Sequence, residues 1–230
     1  MHTQHNIIIA GSTGLIGALL VDEALKHDQI GSVVSLSRHA LKQNLTDSSN
    51  KLVQIISPDL HIDEKRLTSG RPTIGFITLG STKKKAGSNS ALKAVDVTLV
   101  VNVAHAMKQA GIKSIYVVSC IGASETALSH YLQCKGEMER LVEAIGFEQI
   151  VFIQPGPLAG KRELQRLDER LLQGMMLLLS PIMKGRLLNY KPIEAELVAQ
   201  TMLHLALKKH GNNAIKRVSS QAMFTLQSSL

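Results

Sequence analysis

Along this chain, short continuous apolar runs alternate with stretches in which apolar positions recur every three to four residues. The runs fall at 6–10, 32–37, 53–57, 73–79, 114–119 and 149–153. Their nearly unbroken apolar character predicts strands buried on both faces. Helical periodicity fills 15–26, 91–110 and 131–145, and a short helix is predicted around 60–67. Strands alternating with helices predict right-handed crossovers and an α/β, doubly wound parallel sheet. No internal repeat or low-complexity linker interrupts the pattern, so one domain over 1–230 is expected.

The first strand runs into Gly11-Ser12-Thr13-Gly14-Leu15-Ile16-Gly17, three glycines spaced three apart, and a helical pattern follows. Strand, glycine turn and helix in that order are what a dinucleotide-binding loop requires. Gly11 would allow the tight turn, Gly14 the approach of a pyrophosphate, and Gly17 close packing of helix on sheet. Free N–H groups and the positive end of the helix dipole would then face the phosphates. The alternative is a flexible turn with no ligand. The expected fold is therefore a Rossmann-type one, with residues 1–160 as the cofactor-binding core.

After Gly160 the pattern changes. Lys161–Leu179 reads as a helix with a crowded apolar end, and a second helix is predicted to begin at Pro192, a favoured first-turn residue. Glu194 and Glu196 would complement its dipole, and Ile193, Leu197, Val198, Met202 and Leu205 would form its apolar face. A last strand is predicted near Ile215–Val218. Region 161–230 is expected to be a small helical, substrate-side part of the same domain, lying over the open edge of the cleft. The Leu171–Met183 stretch fits core or oligomer interface better than a substrate pocket.

Tyr131 and Lys135 are spaced i, i+4, so on a helix they share one face. A nearby cation stabilises phenolate and brings the Tyr pKa down from about 10. Upstream, the strand Ser114–Ser119 ends in a hydroxyl at the edge where open α/β sheets bind ligands. Ser119 could hold a substrate oxygen while Tyr131 exchanges its proton. Otherwise Ser119 is a cap, and Ser124 is a second candidate hydroxyl. The second strand ends Ser35-Leu36-Ser37-Arg38, without the carboxylate that would hold ribose hydroxyls and repel a 2′-phosphate. A guanidinium there suits a phosphate, so NADP(H) is preferred, with NAD(H) the alternative. Leu79, Gly80, Ser81 and Thr82 should line the cleft after the fourth strand, and Asp59 would border the adenine.

Composition narrows the picture. Aromatic content is 3% with no Trp, which argues against a stacking platform for single-stranded nucleic acid. The net charge of +8 is spread along the chain, with one dense run at Lys83–Lys85. A solvated surface or steering of an anionic cofactor accounts for it, so no specific nucleic-acid partner is expected. Met1-His-Thr-Gln-His5 leads straight into the first strand, so no secretion signal is expected. Leu171–Met183 is interrupted by Gln173, Gly174, Ser180 and Pro181 and is too short to span a bilayer. The nine histidines are scattered and suggest no metal site. Cys120 and Cys134 lack metal or disulfide-framework spacing and suggest a reducing, cytoplasmic setting. Cys120 adjoins Ser119, and Cys134 lies between Tyr131 and Lys135. Beside a cation such thiols could be activated, so oxidation would silence the site; the alternative is two inert thiols.

Taken together, GSTGLIG (11–17), LSR (36–38), LGSTKKKAG (79–87), VVSCIGA (117–123), YLQCKGEME (131–139) and QPGPLAGKR (154–162) resemble the short-chain dehydrogenase/reductase superfamily. The resemblance is to its atypical, extended-like branch, closest to the Tat-interacting-protein type of oxidoreductase and its small bacterial relatives. It implies an NADP(H)-binding Rossmann fold with catalytic Ser119, Tyr131 and Lys135, and with Lys135 also on the nicotinamide ribose. Gly11–Gly17, Arg38, Leu79–Thr82, Pro155 and Leu158 would contact cofactor, and Lys85 would reach a phosphate or substrate anion unless it belongs to a solvated run. Two departures stand out: Cys120 where many relatives have a second serine, and Gln154 where an Arg is common. The expected activity is hydride transfer to or from a small carbonyl or alcohol substrate. The alternatives are an NADP(H)-sensing regulator with a protein partner and no turnover, or a nucleotide-sugar-epimerase-like isomerase. Substrate identity and oligomeric state are not fixed by these residues.

Overall fold

The computed structural model describes residues 4–41, 50–63, 67, 72–159, 185–208 and 214–227. The helix expected over Lys161–Leu179 and the Leu171–Met183 stretch lie outside these residues.

Nine strands are described: β1 (His5–Ala10), β2 (Ile30–Ser37), β3 (Leu52–Ile56), β4 (Ile74–Ile77), β5 (Ser114–Val118), β6 (Gln149–Gln154), β7 (Leu158–Ala159), β8 (Ile193–Glu194) and β9 (Ala214–Ser219). Seven of them form one parallel sheet in the order β3-β2-β1-β4-β5-β6-β9. This is the doubly wound Rossmann arrangement. The order reverses between β1 and β4, and at such a reversal the loops after two neighbouring strands part and leave a crevice.

Alternation along each strand supplies two separate cores. On β1, Ile7 and Ile9 face one layer and Ile8 and Ala10 the other; β6 divides Val151 and Ile153 from Ile150 and Phe152 in the same way. The first layer is closed by α1 (Leu15–Lys26), whose Ile16, Leu20, Val21, Ala24 and Leu25 are buried at helical spacing. The second is closed by α2 (Asn89–Gln109) and α3 (His130–Glu143). Helix α2 is long and apolar enough to cross a membrane by length and composition alone. Here Leu92, Val97, Val100, Val103, Ala104 and Met107 pack it into the core. Ser88 caps its start by accepting from Ala91 N, and its second turn, Ala94–Leu99, is π-helical.

Two expected helices differ from what is observed. Residues 60–63 form no helix, because Leu60 takes φ +58° in a turn in which its N–H donates to Ser57 O. A left-handed residue cannot continue a right-handed helix. The C-terminal helix begins not at Pro192 but at Ala195, as α4 (Ala195–Leu207). Ile193 is fully buried, and its N–H donates to Pro157 O, which holds Ile193 and Glu194 extended against Leu158 and Ala159. Helix α4 packs on α1 in the first core layer, β9 extends the sheet beyond β6, and α5 (Ser220–Leu226) follows it. The described part of the C-terminal third therefore extends the sheet and covers its first core layer.

Candidate functional site

At the end of β1, Gly11 turns the chain with φ +87°, and Gly14 N donates to Gly11 O at 2.9 Å. Gly14 stands at the N-cap of α1 with no side chain capping it, and the first turn of the helix carries no acid. The N–H groups of that turn and the positive dipole end are thus unmasked. A Cβ built on Gly14 would meet only Gly11 O at 3.1 Å and Thr78 O at 3.9 Å. On Gly17 it would collide with the Gly11 main chain and stand 2.5 Å from Thr78 Oγ1. Gly17 therefore serves helix–sheet packing, whereas at Gly14 the missing side chain leaves main chain bare, with a Cβ there crowding only Gly11 O. Such a cradle fits a pyrophosphate.

The other residues of the turn divide between scaffold and surface. Ser12 is buried, its Oγ 2.6 Å from Ser35 Oγ, so its side chain ties the turn to β2. Ile16 and Leu15 point into the first core layer, leaving their main chain alone for a ligand. Thr13 is exposed, and so is Arg38 just past β2. Asp59 accepts from Ser57 Oγ at 2.5 Å, which lowers its pKa, and it too is exposed. Thr78 Oγ1, not anticipated from sequence, lies 3.0 Å from Ala10 O and 3.1 Å from Gly11 O and joins the ends of β1 and β4.

On the far side of the switch point, α3 carries Tyr131 and Lys135 one turn apart. Gly136 lets this helix lie against the main chain of Ser124 and Glu125, where a Cβ would collide. Lys135 is only 2% exposed and its Nζ lies 2.8 Å from Oδ1 of Asp96, which is fully buried. Nζ also donates to Val118 O at 3.4 Å and sits 6.0 Å from the centre of the Tyr131 ring. Asp96 Oδ2 accepts from Ser81 N at 2.8 Å. Gly80 is exposed directly over this pair: a Cβ there would stand 3.4 Å from Asp96 Oδ1 and 3.5 Å from Lys135 Nζ. Leu79 is half-buried against the second core layer, and Thr82 accepts from Lys85 N in the following turn, with Lys85 itself exposed.

Ser119 lies at the predicted strand end but is 3% exposed, and its Oγ has no hydrogen-bond partner. Its neighbour Cys120 hydrogen-bonds with Tyr131. Burial pushes the Cys120 thiol up to about 11, against the pull of Lys135 and Tyr131. Cys134 points into the second core layer, and burial raises it too, with Asp96 adding to the effect. The idea of cation-activated thiols is therefore corrected: desolvation outweighs the lysine at both positions. Ser124 Oγ lies 3.0 Å from Thr126 Oγ1 and accepts from Thr126 N, so it shapes a turn.

One turn beyond Lys135, buried Glu139 accepts from Gln154 Nε2 and from Arg217 Nε, both at 2.8 Å. Pro155 is buried after β6, and Leu158 belongs to the small β7–β8 pair. Gly156 N donates to Ser220 Oγ at 2.7 Å, so α5 fixes the turn after β6. Neither Asp96 nor Glu139 was singled out from sequence. The signal for Asp96 is a lone carboxylate among Val95, Val97, Leu99 and Val100 on a helix otherwise built for the core. Among the described residues no cluster of His, Cys, Asp and Glu could hold a metal ion.

Residues 11–173 match the family described as NAD(P)H-binding. Protein FMP52, mitochondrial, of Saccharomyces cerevisiae is 30% identical over 98% of this chain and 97% of its own length. The protein of the same name from Coccidioides immitis is 31% identical over 73% of this chain and 70% of its own. Among solved structures, MoeE5 in complex with UDP-glucose and NAD matches with TM-score 0.64 and 17% identity, over 97% of this chain and 81% of that one. UDP-glucose 4-epimerase of Thermotoga maritima gives 0.63 and 17%, over 97% and 82%. The reductase domain of PhqB from Penicillium fellutanum gives 0.63 and 14%, over 94% and 66%. At these identities the structural matches establish the fold. The mitochondrial names of the sequence relatives overturn the cytoplasmic expectation, which rested on unpaired cysteines; reducing surroundings are not peculiar to one compartment. From the match over 11–173 and the 30% identity along nearly all its length, the chain belongs to the NAD(P)H-binding family, on a Rossmann fold shared with epimerases and reductases.

Proposed function

We propose that the protein is an NADP(H)-dependent oxidoreductase of the atypical short-chain dehydrogenase type, acting on a small carbonyl or alcohol substrate. The observation that carries this reading is the Tyr131–Lys135 pair, with a buried ammonium fixed beneath the exposed main chain of Gly80. NADP(H), when bound, supplies or accepts the hydride. The bare main chain of Gly11–Gly14 and the start of α1 would hold its pyrophosphate, and Arg38 its 2′-phosphate. Tyr131 holds or gives the proton on the substrate oxygen, and Lys135 favours the phenolate that remains. Cys120 replaces a hydroxyl beside Tyr131 and is a weaker donor, so it supports the substrate oxygen less firmly than serine would. An epimerase-like isomerase would use the same residues with no net change of cofactor.

The burial of Ser119 Oγ and the thiol beside Tyr131 favour one second reading: a sensor that binds NADP(H) without turnover. Oxidation of NADPH across a panel of aldehydes and ketones separates the two. The oxidoreductase reading expects turnover that Tyr131→Phe lowers by about 10²–10⁴-fold, with NADPH affinity unchanged. Tight NADPH binding with no turnover on any substrate would favour the sensor.

A further inference from the structure

The segment between β4 and α2 meets α3, the helix that carries Tyr131 and Lys135, at both of its ends. At one end, a Cβ on Gly80 would stand 3.5 Å from Lys135 Nζ. At the other, the carbonyl oxygen of Asn89, the first residue of α2, lies 3.2 Å from Nε2 of His130, the residue before Tyr131. Between them the chain reads Ser81-Thr82-Lys83-Lys84-Lys85-Ala86-Gly87-Ser88, which holds three cations and no acid. Its middle is a single helical turn, Lys83–Ala86. Thr82 holds that turn: its carbonyl oxygen accepts from Lys85 N and Ala86 N, both at 2.9 Å, and its Oγ1 accepts from Lys85 N at 3.3 Å. Lys84 and Lys85 stand exposed on it.

The elements around this arch do not compensate its charge. Helix α2 has one acid, Asp96, which is buried against Lys135 and accepts from Ser81 N. Helix α3 has three: Glu137 pairs with Lys93, Glu139 with Arg217 and Gln154, and Glu143 with Arg217. The loop from β5 to α3 has one, Glu125, which pairs with Arg140. Among the described residues no acid pairs with Lys84 or Lys85. Asp96 already balances Lys135, so the arch is what gives the approach to Tyr131 its positive sign. A rim of one sign concentrates ligands of the other.

We infer that Lys84 and Lys85 read an anionic group on the substrate, a carboxylate or a phosphate, so that charged carbonyl compounds are preferred to their neutral counterparts. This names a substrate class for the function proposed above and rests on it. Lysine is a point charge on a flexible stem, so it selects for charge and tolerates differences in the shape of the anion.

Binding reads this without turnover. Small aldehydes and ketones are offered in matched pairs, a carboxylate against its methyl ester and a phosphate monoester against the free hydroxyl. Each is titrated calorimetrically into the protein alone and into the protein saturated with NADP+, where no hydride is available. The anionic member of a pair should bind at least about fivefold more tightly, and the margin should shrink as salt rises. In Lys84→Gln/Lys85→Gln the margin should fall to within about twofold. In Lys113→Gln, which removes an exposed cation just before β5 at the opposite edge of the sheet, it should persist. With NADPH present, the same preference should appear in KM. Members that bind alike or not at all, or a margin that survives the double substitution, overturn the inference. Selective anion binding by a protein that turns over no compound of the panel would overturn the oxidoreductase reading and leave the anion seat standing.

Discussion

At the scale of the residue, burial decides which groups near the cleft are reactive. Cys120 and Cys134 sit beside a cation, yet both thiols are raised, because desolvation is the larger effect. The consequence for stability has a definite sign. Cys120 moves from an ordinary 9.0 to about 11, and Tyr116 is raised as well, so each binds its proton more tightly folded than unfolded. The Cys120 contribution is complete below the unfolded thiol value and is lost as pH climbs from 9.0 through about 11, while that of Tyr116 begins to be lost only above its ordinary 10.0. Melting temperature should hold steady up to about pH 9 and then fall, and Cys120→Ala should fall less steeply over that window. Differential scanning calorimetry across the alkaline range checks this, and a Cys120→Ala curve parallel to wild type would contradict it. Tyr131 and Lys135 were legible as a pair because helical spacing is written in the sequence. Asp96 was not, because it acts across two helices and periodicity carries no information on which elements meet.

At the scale of the element, the glycine turn separates packing from binding at neighbouring positions. A methyl at Gly17 has nowhere to go against Gly11 and Thr78, whereas one at Gly14, over the uncapped end of α1, is crowded only by Gly11 O at 3.1 Å, which a small shift relieves. Gly17→Ala should therefore destabilise the fold by about 1–3 kcal/mol, the usual cost of overpacking. Gly14→Ala should leave unfolding within about 1 kcal/mol of wild type and weaken NADPH at least about tenfold. Urea unfolding and nucleotide titration of the two variants read these outcomes separately. Equal effects of both substitutions on both readouts would contradict the division. Strand and helix periods located β1, α1, α2 and α3 closely, since each buries a regular face. They failed where a tertiary contact dictates the backbone: Leu60 is held left-handed by the turn at Ser57, and Ile193 is drawn extended by Pro157 and full burial.

At the scale of the whole molecule, the parallel sheet brings the carboxyl ends of β1, β4 and β5 to one edge. Residues far apart in sequence meet there: Gly11, Thr78, Gly80, Asp96 and Lys135. Alternation of strands and helices was enough to foresee this sheet, because continuous apolar strands need cover on both faces. It did not foresee that α4 would pack on α1, since an amphipathic face does not name its partner. Arg38, exposed beyond β2, is where the proposed cofactor preference is decided. The most direct test is calorimetric titration of the folded protein with NADPH and NADH side by side. Saturable binding of NADPH, at least about tenfold tighter than NADH, is expected, and Arg38→Ala should remove that preference. Absence of binding by either nucleotide would contradict a dinucleotide seat at Gly11–Gly17, and equal affinities unaffected by Arg38→Ala would contradict its preference for the 2′-phosphate.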